Sequence, residues 1–292
     1  MASSPNIVTI PDTPIMSNEY IRDNLQANLI LALNFDNYPF VDHSLTPATL
    51  TNNGVSRNTT TKVFGAGSIQ TETYGGNLAS NRNILNYAGD SITIEGWVST
   101  NFAPYSGRII GAVAADAPSG SIYYWYLADG TPVSAWWVDF TATYYSSVGD
   151  VSGFTIGLHN NHGIGPDIGT SFFEGVSTIS PPLDYDTPGD YIFFSFTAIK
   201  NGEAPGVHKY IFHSGEADQQ TDVKVETSSI WLFQSEPVYG YVYNPAIGDS
   251  ELKLLTFGVY PQLDRKIDDL LVWDRSVRTE APFIPPSTSM VP

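Results

Sequence analysis

The sequence predicts an all-β fold built as a two-sheet antiparallel sandwich. From Leu29 onward, short runs rich in Ile, Val, Thr, Tyr, Phe and Trp are separated by Gly, Asn, Asp and Pro, which is typical of strands and the turns between them. Helical periodicity is almost absent, so nothing indicates strands that alternate with helices. Many short strands without intervening helices favour two packed antiparallel sheets over a parallel sheet covered by helices.

A dozen segments carry the strand pattern. Ser91–Thr100 shows it most clearly, because Ile92, Ile94 and Val98 are separated by residues of a different kind, as expected of a strand with two unlike faces. The predicted strands, in chain order, are Leu29–Phe35, Ser68–Thr73, Ser91–Thr100, Arg108–Val113, Ile122–Leu127, Ala135–Thr141, Gly153–Leu158, Tyr191–Ile199, Lys209–His213, Ile230–Phe233, Glu251–Val259 and Lys266–Trp273.

Composition and charge exclude several classes of function. The chain has 292 residues, with 13 Lys and Arg against 30 Asp and Glu and a formal net charge of −17. Such a surface repels a phosphate backbone and an anionic membrane alike, so we expect neither nucleic acid nor membrane as a partner. The chain has no cysteine, which excludes a disulfide framework, a thiolate nucleophile and a zinc site built on thiolates.

The first residues lack the features of a targeting segment. Met1–Ile21 contains no Lys or Arg, is interrupted by three prolines and has no continuous apolar stretch, so we expect no export signal. No run of about 18 apolar residues occurs that could form a transmembrane helix. We therefore expect a protein that is used, or assembled, inside the cell that makes it.

Composition divides the chain into three parts. We predict an extended N-terminal arm over residues 1–24, the sandwich over residues 25–285 and a C-terminal tail over residues 286–292. The arm has no amphipathic period, and packing on its own domain is one alternative; the other is that it binds a partner through its apolar residues Ile7, Val8, Ile10 and Ile15. The last twelve residues hold four prolines and no charge, which predicts an extended tail that is frayed or lies on a neighbouring subunit.

Four segments occur in an order that suggests a family. They are Leu31–Asp36, Val63–Ile69, Ser91–Val98 and Lys266–Arg278. Together they resemble the concanavalin-A-like, laminin-G-like jelly roll found in many bacteriophage virion proteins, which opens with a strand ending in Phe-Asp and closes with an Ile-Asp-Asp strand. The resemblance covers roughly residues 29–285 and implies that the first and last strands pair side by side. Residues 101–190 depart from it, because they form a longer and more aromatic middle than is usual.

The resemblance also implies a structural calcium ion. Members of this fold often hold Ca²⁺ with a carboxylate on the closing strand and backbone carbonyls of the Phe-Gly segment, which here gives Asp36, Gly65 and Asp268 as metal ligands. Oxygen ligands suit this hard cation. The alternative is that Asp36 caps a turn and that Asp268 accepts hydrogen bonds from buried backbone N–H groups. No other cofactor is expected.

Known catalytic patterns are missing, so we expect no enzymatic activity and assign no catalytic residue. A retaining glycosidase on this sandwich needs two carboxylates about 5 Å apart, supplied by Glu-x-Asp-x-x-Glu on one face of a strand. The nearest match runs from Glu216 through Asp218, and its sixth position is Thr221. The Gly-x-Ser-x-Gly pattern of serine hydrolases is also absent. His159 and His162 lie in a glycine-rich stretch and indicate a polar turn rather than a metal pair.

The middle of the chain combines aromatic residues with one sign of charge. Ile109–Ile199 contains no Lys or Arg but nine Asp and Glu. Aromatic clusters stack on sugar rings in carbohydrate sites, where Asp and Asn bind the hydroxyl groups. The residues that would form such a site are Tyr124, Trp125, Trp136 and Trp137. The alternative, which we favour from the sequence, is that these aromatics are buried in the core or in a subunit interface.

The residues and the resemblance together predict a non-enzymatic structural protein of a bacteriophage virion. Its most concrete form is a capsid decoration or cement protein whose apolar arm binds the major capsid protein, another virion protein or a second copy, while the acidic sandwich faces solvent. We expect a homo-oligomer that is assembled in the host cytoplasm and becomes part of the virion. The alternative function is a carbohydrate-binding module of a tail or head fibre that recognises host polysaccharide through the aromatic middle of the chain.

Overall fold

Extended backbone dominates the described part of the chain. The computed structural model describes residues 16–71, 76–81, 90–99, 107–108, 110–113, 122–126, 138–145, 151–158, 178–179, 191–200, 208–228, 239–244, 248–249, 253–254, 256–259, 261 and 266–292. In these ranges one α-helix is present, α1 (Asn18–Asn24), followed by a 3-10 turn (Gln26–Asn28), and every other regular element is a β-strand. The predicted all-β sandwich class is therefore confirmed. No helix of the described residues is long and apolar enough to cross a membrane.

The described strands are numbered in chain order. The first ten are β1 (Leu29–Leu33), β2 (Leu50–Asn53), β3 (Val55–Asn58), β4 (Ser68–Thr71), β5 (Asn77–Ser80), β6 (Ser91–Ser99), β7 (Gly107–Arg108), β8 (Ile110–Val113), β9 (Ile122–Tyr126) and β10 (Val138–Tyr145). The others are β11 (Val151–Leu158), β12 (Thr178–Ile179), β13 (Tyr191–Ile199), β14 (His208–Gly215), β15 (Asp222–Ser228), β16 (Tyr239–Asn244), β17 (Gly248–Asp249), β18 (Lys253–Leu254), β19 (Thr256–Val259) and β20 (Lys266–Trp273).

Eight strands form the largest sheet, in the order β15-β14-β13-β6-β20-β4-β3, with β1 also paired to β20. On one side β20 pairs with β6, and its other side is shared by β4 at residues 266–267 and β1 at residues 270–273. The side-by-side pairing of the first and last strands, implied by the family resemblance, is thus confirmed. Every strand pairing among the described residues is antiparallel.

The remaining described strands form three sheets of four strands each. One has the order β2-β5-β19-β8, and the second has the order β12-β11-β10-β7. In the third, β16 pairs with β9 and also with the short strands β17 and β18. The sandwich is thus one long sheet accompanied by three smaller ones.

The central strands of the large sheet are buried on both faces. Residues 92–99 of β6 and 192–198 of β13 are all buried. Trp97 and Phe193 meet edge to face with ring centroids 5.4 Å apart, and Phe196 stacks on Tyr210 at 6.0 Å. Each such side chain contributes about 1.5–3 kcal/mol when it is removed from water. Because both faces of these central strands are covered, other parts of the chain pack on either side of the middle of the large sheet.

Part of the predicted N-terminal arm is a helix. α1 begins after Ser17, whose Oγ accepts a hydrogen bond from Tyr20 N at 3.2 Å. Ile21 is fully buried in a cluster that it shares with residues of β1 and β20. The prediction of an extended arm is therefore wrong for residues 18–24, because a helix of about two turns is too short to show an apolar period in the sequence. Residues 1–15 lie outside the described residues.

The C-terminal tail packs on its own sandwich. Met290 and Val291 are buried in the same cluster as Ile21 of α1, and Met290 N donates a hydrogen bond to Asp269 Oδ2 at 3.0 Å. The prediction that the tail is frayed or lies on a neighbour is therefore wrong. The prolines that suggested an extended tail also reduce the conformational entropy lost when the tail packs, and the sequence does not show that its two apolar residues reach the core.

The predicted strand ends agree best where the strands are apolar. Tyr191–Ile199 and Lys266–Trp273 are found with the predicted bounds. β1 ends before Phe35, since that residue has a left-handed backbone with φ of 57°. The missed strands include polar ones such as β2, β3 and β15, whose composition is closer to that of turns. The predicted strand Ile230–Phe233 lies outside the described residues.

Candidate functional site

β9 brings part of the aromatic middle segment together with a second tyrosine-rich strand, β16. The antiparallel register sets Tyr124 opposite Tyr241 and Tyr126 opposite Tyr239. Directly opposite residues of antiparallel strands share a face, as do alternate residues of one strand. The positions on this face, named the tyrosine face below, are Ile122, Tyr124, Tyr126, Tyr239, Tyr241 and Tyr243.

The four predicted carbohydrate-binding residues do not all belong to the tyrosine face. Tyr124 lies on it, whereas Trp125 lies at a position of the opposite face, because neighbouring residues of a strand alternate. One flat binding surface on β9 therefore cannot include both residues. Trp136 and Trp137 lie outside the described residues.

Sequence reasoning missed the contribution of β16. Tyr239, Tyr241 and Tyr243 alternate with Gly240 and Val242, a period of two that predicts a strand with tyrosines on one face. This signal is present in the sequence. The pairing of that strand with β9 is not, because the two segments lie far apart in the chain.

The strands beside β16 place charges of opposite sign at the two faces. Asp249 of β17 is opposite Tyr243 and therefore shares the tyrosine face. Lys253 of β18 is opposite Gly240, which places it on the other face. At the described positions the tyrosine face thus combines aromatic residues with a carboxylate and without a cation.

Asp36 and Asp268, two of the three predicted calcium ligands, anchor the same turn. Asp36 Oδ1 accepts hydrogen bonds from the backbone N–H groups of Ala66 and Gly67, the latter at 3.0 Å. Asp268 Oδ2 accepts two more, from the N–H groups of residues 63 and 64 at 2.7 and 3.0 Å. The two carboxylates therefore hold the turn formed by residues 63–67 from its two ends.

Gly65, the third predicted ligand, lies within this turn with φ of 53°. A Cβ atom built at this position would lie 2.1 Å from Asp36 Oδ2. Glycine is required here both by the left-handed backbone and by the close approach of the carboxylate. The structure thus brings all three predicted ligands together.

Two buried acids near this turn, Asp268 and Asp269, bind protons more readily than exposed carboxylates do. Burial raises the pKa of Asp268 to about 6, even though backbone N–H groups favour its charged form. Burial, with a further contribution from the charge of Asp268, raises the pKa of Asp269 to about 7. Asp269 Oδ2 accepts the hydrogen bond from Met290, while its buried Oδ1 has no hydrogen-bond partner.

The donors around these acids favour anchoring over calcium binding. Asp36 Oδ1 and Asp268 Oδ2 already accept backbone N–H groups, whose positive ends are directed at the oxygens that a cation would need. The described residues contain no group of three or more Asp, Glu or His side chains placed to hold a metal. The hydrogen bonds match the alternative in which both carboxylates accept backbone donors, and calcium binding stays a prediction.

Glu95 and Arg278 form a buried ion pair that the sequence patterns did not reveal. Arg278 Nε donates to Glu95 Oε2 at 2.8 Å, and Nη2 donates to Oε1 at 3.1 Å, which is the bidentate geometry that suits a carboxylate. Arg278 Nη1 also donates to Asn18 Oδ1 at 2.8 Å, and Trp273 Nε1 donates to Glu95 Oε1 at 3.3 Å. The pair therefore ties α1, β6 and the segment after β20 together. The sequence signal is a lone acid in an apolar strand, which needs a partner if it is buried.

His213, which lies on β14, forms a further hydrogen bond to the segment that follows β20. Its Nε2 lies 2.7 Å from Thr279 O and its Nδ1 lies 3.2 Å from Thr221 Oγ1. Nε2 therefore carries the proton and donates to the carbonyl, whereas Nδ1 accepts from the threonine hydroxyl. Burial lowers the pKa of His213 to about 4, and the charge of Arg278 acts in the same direction. His213 is thus neutral at pH 7.

The acids nearest to an enzyme pattern do not form a pair of free carboxylates. Glu95 is bound to Arg278 inside the core. Glu216 and Asp218 lie in the exposed turn between β14 and β15, where Gln219 Nε2 donates to Glu216 Oε2 at 2.7 Å. Glu95 thus joins elements of the fold, whereas Glu216 and Asp218 face solvent.

The predicted partner-binding residues lie outside the described residues. They are Ile7, Val8, Ile10 and Ile15. Binding of this arm to a capsid protein, to another virion protein or to a second copy stays a prediction.

Comparison with known proteins yields structural neighbours only. No family model and no curated protein matches the chain. The binding domain of botulinum neurotoxin DC in complex with SialylT is 12% identical, with a TM-score of 0.46 over 87% of this chain and 49% of that chain. The serotype D ligand binding domain in complex with N-acetylneuraminic acid is 12% identical, with a TM-score of 0.45 over 88% and 50%. The serotype C1 binding domain is 13% identical, with a TM-score of 0.45 over 87% and 50%.

These neighbours are binding domains of toxins, and this chain spans about half the length of each of them. Identities of 12–13% and TM-scores below 0.5 do not transfer a ligand from one protein to another. The β-sandwich class therefore rests on the antiparallel strands and the doubly buried sheet of this chain itself.

Proposed function

We propose that this chain is a non-catalytic carbohydrate-binding β-sandwich that binds an uncharged saccharide at the tyrosine face. The observation that carries the proposal is the register of β9 and β16, which sets Tyr124 opposite Tyr241 and Tyr126 opposite Tyr239. A tyrosine ring offers flat apolar surface and a hydroxyl group, and it loses little conformational entropy on binding. This combination suits a sugar ring, which has apolar faces and a rim of hydroxyl groups.

The acidic composition of the middle segment and the position of Asp249 favour neutral sugars. The segment Ile109–Ile199, which includes β9, has nine acidic and no basic residues. Asp249 adds a carboxylate on the same face as Tyr243, whereas Lys253 lies at the other face. An anionic saccharide would meet like charge here, and a neutral one would meet hydrogen-bond acceptors.

We prefer carbohydrate binding, the alternative function predicted from the sequence, to capsid decoration. The decoration hypothesis uses extensions that reach outward to grip a neighbour, and the C-terminal extension packs on its own sandwich instead. Attachment to a virion through residues 1–15 stays a prediction. Carbohydrate binding does not require it.

The proposal is tested on a glycan array that carries neutral and sialylated saccharides, followed by calorimetry on the saccharides that bind. We expect binding to neutral saccharides. Tyr124→Ala and Tyr241→Ala should each weaken it about 10-fold or more, as expected when an aromatic anchor is truncated.

The matched control is Tyr38→Ala, which removes a tyrosine that is exposed on the loop after β1, outside the tyrosine face. This variant should bind as the unchanged protein does, and all variants should keep the same thermal midpoint. The proposal is overturned if no saccharide binds, or if saccharide binding survives both substitutions in the tyrosine face.

A further inference from the structure

The large sheet ends at β15, which pairs with β14 alone among the described residues. An edge strand presents unpaired backbone N–H and C=O groups along its outer side, and these groups accept another strand readily. β15 is seven residues long, and none of its residues is buried. Residues 222–227 therefore form a long edge that is accessible rather than buried.

The first described residues of the chain lie beside the start of this edge. Asn18 Nδ2 donates to Ile284 O at 2.9 Å. The residue before it, Phe283, exchanges two hydrogen bonds with Thr221: Thr221 N donates to Phe283 O at 2.8 Å, and Phe283 N donates to Thr221 Oγ1 at 3.2 Å. Thr221 directly precedes β15. The start of α1, which follows residues 1–15, is thus linked to the start of β15 through the contacts of Asn18 with Ile284 and of Phe283 with Thr221.

Exposed apolar side chains occur on α1, on β15 and on the segment that connects them. Tyr20 of α1 is 51% exposed, Ile284 is 52% exposed and Val225 of β15 is 39% exposed. The other large hydrophobic side chains that are exposed in the described residues belong to one loop and are Tyr38, Val41 and Leu45. The elements around the edge strand therefore leave apolar surface that a partner segment can cover.

The sequence before α1 contains a segment suited to this edge. Residues 6–10 read Asn-Ile-Val-Thr-Ile, are flanked by Pro5 and Pro11 and carry no charge. β-branched residues without proline are favourable for a strand. Seven residues separate this segment from α1, and when extended they span up to about 23 Å, which is also about the length of β15. The tether is therefore long enough for the segment to lie along the part of the edge near the start of β15.

We propose that residues 6–10 add to the outer edge of β15 in the same molecule, as a further antiparallel strand of the large sheet. The direction follows from the connection: residue 10 is nearer than residue 6 to the start of β15, so the segment runs against that strand. Docking in the same molecule is favoured because a tether of seven residues gives an effective concentration in the millimolar range. The inference concerns the arm and does not depend on carbohydrate binding.

The other edge of the large sheet provides a matched control. β3 is four residues long and pairs with β4 alone among the described residues. It lies at the opposite end of the strand order, about 29 Å from β15 at the usual spacing between strands.

The absence of cysteine allows a direct test by disulfide trapping. Ile7→Cys or Val8→Cys, which cover the two faces of the segment, is combined with Val225→Cys in β15 and oxidised mildly at low protein concentration. We expect a disulfide within one molecule, formed about 10-fold faster than in the control that combines the same arm substitution with Ser56→Cys in β3. A disulfide mainly between two molecules, or equal rates at the two edges, overturns the proposal.

Hydrogen exchange tests the same docking without cysteines. Val8→Pro removes an N–H donor and disfavours a strand in the segment, whereas Ala2→Pro alters the arm outside it. We expect amides of β15 to exchange about 10-fold faster in Val8→Pro than in the unchanged protein, with no change in Ala2→Pro. Equal exchange of β15 in all three proteins overturns the proposal.

Discussion

Two groups of charges on the large sheet are accommodated differently: the buried ion pair of Glu95 with Arg278, and the acids Asp36, Asp268 and Asp269, of which the last two are buried. In the first group, opposite charges meet in bidentate geometry. In the second, like charges lie close together and accept backbone N–H groups, and burial raises the pKa of Asp268 and Asp269. Asp268 and Asp269 therefore exchange protons near neutral pH.

Both groups attach segments that are distant in the chain to the large sheet. The ion pair holds α1 through Asn18 and the segment after β20 through Arg278 itself. The acids hold the turn at residues 63–67 and, through Asp269, the tail at Met290. Polar contacts therefore keep distant segments on the central sheet in both places, and the burial of Asp268 and Asp269 makes the second attachment sensitive to pH.

The largest effect is expected from removing one partner of the ion pair. Arg278→Met leaves the Glu95 carboxylate buried without its partner, so the free energy of unfolding should fall by about 3–5 kcal/mol. Urea denaturation followed by tryptophan fluorescence measures this loss.

The control is the double variant Glu95→Gln with Arg278→Met, which removes the buried charge as well. It should recover much of the lost stability, because the penalty comes from the orphaned carboxylate. A loss below about 1 kcal/mol in the single variant would show that Glu95 finds other partners, and the contrast with the acid group would then fail.

The pH dependence of stability should separate the acids from His213. The pKa of Asp268 and Asp269 rises from 3.8 in the unfolded chain to about 6 and about 7, so unfolding releases protons and their contribution to stability falls as pH rises from about 4 to 7. The pKa of His213 falls from 6.5 to about 4, so its contribution is full above pH 6.5 and is lost as pH falls towards 4. The shift of each of the three groups corresponds to about 3–4 kcal/mol, so the two acids together outweigh His213, and the two effects oppose each other.

Two variants separate the pH trend of the acids from that of His213. In His213→Gln, whose amide can still donate to Thr279, stability should fall more steeply between pH 4.5 and pH 7 than in the unchanged protein, by about 2–3 kcal/mol. In Asp269→Asn it should rise with pH relative to the unchanged protein. Urea denaturation at four pH values provides the difference curves, and curves without a pH trend would contradict the assignment.

A smaller effect is expected at the turn that the acids anchor. Gly65→Ala places a methyl group against Asp36 and asks alanine to adopt φ of 53°. The free energy of unfolding should fall by about 1–3 kcal/mol. In the background of Asp36→Ala the same substitution should cost less, because the clash with the carboxylate is gone. Equal costs in the two backgrounds would show that only the backbone matters.

Part of this fold can be predicted because buried strands have a distinctive composition. Tyr191–Ile199 and Lys266–Trp273 consist largely of apolar and aromatic residues between turn-forming ones, and the structure has them with the predicted bounds. The helix α1 and the polar strand β15 were missed, because a seven-residue helix shows no period and an exposed edge strand does not need an apolar composition.

The candidate sites, like the strands, could be predicted only in part from the sequence. The proximity of Asp36, Gly65 and Asp268 follows from the family resemblance, but their hydrogen bonds to the turn do not. The tyrosines of β9 and of β16 are each visible in the sequence, yet their register is set only when the two strands pair.

The strand composition, the acidic surface and the absence of cysteine are properties of residue types, so the all-β class and the excluded chemistries can be read from the chain alone. The chain alone does not reveal the partners of Glu95, the protonation of Asp269 or the tyrosine face. Each depends on residues that folding brings together from far apart in the chain. Burial decides their chemistry, and burial belongs to the packed molecule rather than to any local segment.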